Sequence, residues 1–112
     1  MTSKHQIKKK ITLKKIRNML IELKSVPCVD CGISYHWYVM DFDHRRGIKE
    51  FEISVLSKKA MSHKRIMAEV AKCDVVCANC HRVRTYRDTL NKLTVDVKEN
   101  LQAELFEEKF SL

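Results

Sequence analysis

Apolar residues recur at Ile16, Met19, Leu20 and Leu23, the spacing of one helix face, and predict an amphipathic helix over 12–24 with Thr12 as its N-cap. Pro27 stops it. From Tyr35 to His44 the chain turns aromatic and β-branched, which suits a strand that ends before Arg45-Arg46-Gly47. Alternation sets Trp37, Val39, Asp41 and Asp43 on one side and Tyr38, Met40, Phe42 and His44 on the other. Asp43 and His44 therefore diverge unless the strand ends there. Phe51, Ile53 and Val55 alternate with Glu50, Glu52 and Ser54, predicting a short strand over 49–55. Ser62 reads as the N-cap of a helix reaching Ala71, with Ile66, Met67 and Val70 inward. An apolar strand over 74–77 follows, then a helix from Ala78 or Asn79 through Arg87 or beyond. A last helix over 96–110 carries Val97, Leu101, Leu105 and Phe106 on one stripe, the pattern of a core or a self-association face. The sum is a small α+β protein.

Composition narrows the class. With 112 residues the chain is one domain with helical extensions, and two glycines and one proline leave no flexible linker. The formal charge is +8 and unevenly spread. Residues 1–25 hold eight cations against Glu22, whereas 94–112 hold five acids against two lysines. A basic surface favours polyanions, nucleic acid first. Lys8, Lys9, Lys10, Lys14, Lys15 and Arg17 crowd the first helix. They form either a solvated face or an arm along a phosphate backbone, where each neutralised phosphate releases counterions. No apolar run approaches a membrane span, and the first ten residues are too polar for a secretory signal. A soluble, intracellular, cytoplasmic protein with no membrane partner is expected.

Five cysteines are an odd number, so a secreted disulfide framework would leave one over. Four of them form two Cys-x-x-Cys pairs, Cys28 with Cys31 and Cys77 with Cys80, separated by 45 residues. Two residues between thiolates let both sulfurs reach one ion, and Gly32 permits the left-handed turn that such a knuckle uses. Burial as small hydrophobes explains a lone Cys73 but not two spaced pairs. These four cysteines are read as a structural zinc site, which in so small a chain adds stability that the core lacks. With zinc bound the net charge is nearer +6, still basic. Cys73 is the spare.

Between the pairs lies Asp41-Phe42-Asp43-His44, and Cys80 is followed by His81. The order Cys-x-x-Cys, a strand ending Asp-His, then Cys-x-x-Cys-His resembles the HNH endonucleases, the ββα-metal or His-Me finger group. It looks closest to small phage-type members, whose plan the zinc-stapled phage Holliday-junction resolvases share. The resemblance covers 26–87 and is most specific over Lys72-Cys73-Asp74-Val75-Val76-Cys77-Ala78-Asn79-Cys80-His81-Arg82-Val83-Arg84-Thr85. It implies a treble-clef-like ββα-metal core stapled by a four-cysteine zinc. A basic helical arm over 1–25 precedes that core and a helical extension over 88–112 follows it. It further implies that Asp43 and His81 ligate a catalytic magnesium or manganese ion and that His44 is the general base. The setting it implies is a phage or its bacterial host. The family's middle asparagine usually lies ahead of the second cysteine pair, where this chain has Lys72, Cys73 and Asp74. Asp74 is one candidate for orienting His44 or buttressing the loop, and Asn79 more naturally caps or packs the knuckle.

Elementary chemistry agrees with those roles. Phosphodiester hydrolysis needs a deprotonated water in line with the leaving oxygen. An unperturbed histidine titrates near neutrality, so a neutral ring can take that proton. One divalent ion held by a carboxylate and an imidazole keeps sites open for phosphate and stabilises the leaving alkoxide. Arg45 and Arg46 after the base, and Arg82, Arg84 and Arg87 after His81, are candidates for positioning contacts to flanking phosphates. Trp37 and Tyr86 could stack on bases, although a core role is the simpler expectation for each. The expected activity is hydrolysis of duplex or branched DNA. Cutting both strands from one site per chain would favour a homodimer or sequential nicks. Two rivals remain open: a non-catalytic zinc-stabilised nucleic-acid-binding module, and a structural zinc protein acting through its acidic C-terminal helix.

Overall fold

Two short strands carry the structure. In a computed structural model, which describes residues 3–93, β1 (Met40–His44) pairs antiparallel with β2 (Cys73–Cys77) over five residue pairs. Met40 lies opposite Cys77 at one end and His44 opposite Cys73 at the other. Three helices join them: α1 (Lys4–Lys24), α2 (His63–Val70) and α3 (Ala78–Asn91). The described residues thus form a small α+β structure with a two-stranded antiparallel sheet. No helix among the described residues is long and apolar enough to cross a membrane. The expected helix over 96–110 lies outside the described residues.

The chain divides after Cys77 into two units. In the first, α1 buries Ile16 and lays Met19 and Leu20 against Ile53, Leu56, Ile66 and Cys73, with Phe42, Phe51, Met61 and Val70 around them. The helix begins at Lys4 rather than near Thr12. Ser3 and Gln6 form a capping box in which each side chain bonds the other's amide. Apolar periodicity gave no sign of this longer helix, because residues 4–12 are exposed and are held helical by cap and propensity, not by a core face. Thr12 instead donates its hydroxyl to the Lys8 carbonyl.

Two expected strand segments differ. Trp37–Val39 is a 3₁₀ turn capped by the His36 ring, which accepts from the Tyr38 amide. The Arg17 guanidinium stacks over Trp37, which is half-buried. The expected strand over 49–55 is replaced by a 3₁₀ helix at Ile53–Ser57. Ile53 and Leu56 are buried there and Val55 is exposed, so the operative spacing is three, not two. By contrast α2 starts where expected, with the Ser62 hydroxyl accepting from the Arg65 amide.

The second unit contributes α3 to the description. It begins directly after β2, and Thr85 and Thr89 each return a hydroxyl bond to the carbonyl one turn back. Tyr86 is exposed, which corrects its expected place in a core.

Candidate functional site

The knuckle after α1 is built by backbone bonds. Gly32 has φ +72°, the left-handed region, and its amide donates to the Cys28 carbonyl while the Cys28 amide donates to the Ile33 carbonyl. The Val29 amide reaches the Val75 carbonyl, which ties the knuckle to β2. These bonds set Cys28 beside Cys77, whose amide donates to the Cys28 sulfur at 3.3 Å.

The sulfurs of Cys28, Cys31, Cys77 and Cys80 all lie within 4.8 Å of one another, and none is in a disulfide. Four thiolates at about 2.3 Å from a tetrahedral ion would stand about 3.8 Å apart, so the cluster suits a single ion such as zinc. Its chemistry fits as well. Burial opposes ionisation of Cys28, but the amides of Cys31, Cys77 and Asp30 and the Cys31 thiol donate to its sulfur and bring it from 9.0 to about 6. Cys73 goes the other way. Burial and the nearby charges of Glu69 and Asp43 push it up to about 11. It stands outside the cluster as a buried thiol against the Glu69 carbonyl. The cluster could hold a metal, and among the described residues it is the one grouping of three or more ligating side chains.

The other end of the strand pair carries the second group of candidates. Four residue steps along β1 set His44 about 13 Å from the Met40–Cys77 end. β1 ends at His44, and the Arg45 and Arg46 amides both bond the Lys72 carbonyl, which turns the chain away. Asp43 lies opposite Asp74 in register. Such a like-charged pair is unfavourable alone. Arg46 offsets it, donating to the Asp74 carboxylate at 2.7 Å, to the Cys73 carbonyl at 2.6 Å and to the Ala71 carbonyl at 3.3 Å. Arg45 stands 3.9 Å from the Asp43 carboxylate. Arg46 therefore clamps β2 to the turn after β1.

Strand alternation sends Asp43 to the face opposite His44. The His44 ring meets Glu69, with Nε2 2.9 Å from the Glu69 carboxylate. Sequence pattern alone does not nominate Glu69, although a signal exists. It falls three residues after Ile66 on the inward face of α2, a lone carboxylate on an apolar stripe.

His81 lies in the first turn of α3, as expected, with Asn79 exposed two residues before it. Arg82 and Arg87 are exposed and Arg84 is half-buried. Lys8, Lys9, Lys10 and Lys14 are all exposed along α1. No family model, curated protein or solved structure matches the chain.

Proposed function

We propose that the chain is a metal-dependent HNH-type endonuclease that hydrolyses DNA phosphodiester bonds. Its four-cysteine ion is a structural zinc, and its fold is of the ββα-metal finger kind. The observation that carries this reading is the fixed corner at Asp43-His44. The pair ends a strand held in register against Cys73 and Asp74, and β2 leads directly into the Cys77–His81 run.

A zinc with four thiolate ligands has no open position, and the strand pair keeps it far from the His44 ring. The chemistry therefore calls for a second ion. Asp43 and, by the order of the motif, His81 are the residues that would hold it, and magnesium or manganese would supply charge to the phosphate. His44 takes the proton of the attacking water. The exposed lysines of α1 and the arginines of α3 hold the backbone of the substrate without reading its sequence.

The test is an activity screen over linear, supercoiled and branched DNA with magnesium, run beside His44→Ala. The nuclease reading expects cleavage by the wild type and its loss in the variant, with zinc content and DNA binding retained. Undiminished cleavage by His44→Ala removes His44 from the base role. Salt-dependent binding without cleavage of any substrate would favour a silent zinc module.

A further inference from the structure

Glu69 is the one charged side chain buried among the described residues, at 1% exposure. An ionised carboxylate in apolar surroundings is costly unless its oxygens are satisfied. Both are. One oxygen accepts from His44 Nε2 at 2.9 Å and from the Glu50 amide at 3.1 Å. The other accepts from Lys72 Nζ at 2.8 Å, and Lys72 in turn donates to the Ile48 carbonyl. A leucine at this place on α2 would fill the core without needing three donors, so packing alone does not account for a carboxylate.

The Lys72 hydrogen bond is the main influence on Glu69. It outweighs the opposing effect of burial, and with the Glu50 amide and His44 it brings the carboxyl from 4.5 to about 2. Glu69 is therefore ionised across the neutral range and can only accept. The nitrogen facing it must carry a hydrogen. In a neutral ring the lone pair then sits on Nδ1, and the ring is held from one side by an acceptor that is itself held by Lys72 and Glu50.

We propose that Glu69 is a positioning residue for His44: it fixes the ring's orientation and keeps the hydrogen on Nε2, so that Nδ1 is the atom that accepts the proton from water. This rests on the nuclease reading of His44 and assigns the orienting role to α2, in place of Asp74, which the Arg46 guanidinium engages. Glu69 touches neither substrate nor metal in this scheme.

The experiment pairs a spectroscopic readout with kinetics on the zinc-loaded full chain. Long-range ¹H–¹⁵N correlation spectra of the His44 imidazole, taken where the ring is neutral, report which nitrogen carries the hydrogen. The expected wild-type pattern is hydrogen on Nε2. In Glu69→Ala the ring becomes a mixture of both tautomers, and kcat on magnesium-activated DNA cleavage falls about 10–100-fold, with DNA affinity within about twofold. Glu69→Gln keeps a carbonyl acceptor, so it retains the Nε2 pattern and recovers most of the rate. A wild-type ring with its hydrogen on Nδ1 overturns the proposal even if Glu69→Ala does not fold. So does a Glu69→Ala protein with unchanged tautomer and rate. If the wild type cleaves no DNA, the nuclease reading falls and the catalytic role of Glu69 falls with it. Cleavage with the wrong tautomer sinks the positioning role alone.

Discussion

The Cys77 amide donates to the Cys28 sulfur across 49 residues of sequence. That bond joins the knuckle after α1 to the end of β2, and it stabilises the thiolate form of Cys28 that a metal requires. Perturbing Cys28 or Cys77 should therefore perturb both the local fold and the capacity of the cysteine cluster to hold a metal.

Replacing Cys28 or Cys77 with serine should therefore abolish zinc retention and the cooperative thermal melt. Zinc in comparable small sites is worth on the order of 10 kcal/mol. Cys73→Ala is the control, since it removes only a buried sulfur outside the cluster. It should keep full zinc content and cost about 1 kcal/mol. Metal analysis and thermal denaturation of the three variants check this.

The Arg46 clamp predicts a structural phenotype for a residue that the sequence nominated for phosphate contact. Arg46→Ala should destabilise the protein by about 1–2 kcal/mol, because it releases three bonds to residues 71–74 and removes the guanidinium that offsets Asp43 opposite Asp74. A double-mutant cycle with Asp74→Ala, read by chemical denaturation, should show strong non-additivity.

Glu69 sets the acid limit of the strand corner. Its folded value of about 2 lies below the ordinary 4.5, so its contribution is fully present above pH 4.5 and is lost as pH falls towards 2. The Tm difference between the wild type and Glu69→Gln should stay level from neutral pH down to about 4.5. Below that it should narrow. Paired thermal melts over this range supply the comparison.

Much of this was legible from residue order alone. Ser62 ahead of Ile66, Met67 and Val70 gave α2, because a cap and a helical stripe agree. The two Cys-x-x-Cys pairs point to the cysteine cluster that could hold a metal, since the spacing within each pair is a local property. The segment around Ile53 reads as a strand because Phe51, Ile53 and Val55 alternate, whereas the core takes Ile53 and Leu56 at the spacing of a 3₁₀ turn and leaves Val55 exposed. Glu69 is not legible in the sequence for a different reason. What it does depends on His44, 25 residues away in sequence, and on packing that no local pattern encodes.

The exposed lysines of α1 should act through charge alone. Lys8→Ala, Lys9→Ala and Lys10→Ala combined should leave the melt unchanged, since none of the three is buried. For every DNA phosphate that the variant no longer neutralises, the slope of log affinity against log salt should become shallower by about 0.9. Fluorescence anisotropy over a salt series measures it.

Nicking of supercoiled DNA separates a zinc-stapled divalent-ion nuclease from a zinc module that only binds nucleic acid. The protein is stripped of loosely held ions with EDTA, its zinc content is measured, and magnesium or manganese is then added back. The expected result is no nicking after EDTA with about one zinc per chain retained, and nicking restored by the added ion. An absence of nicking with every divalent ion, in protein that keeps its zinc and its melt, would contradict the nuclease reading.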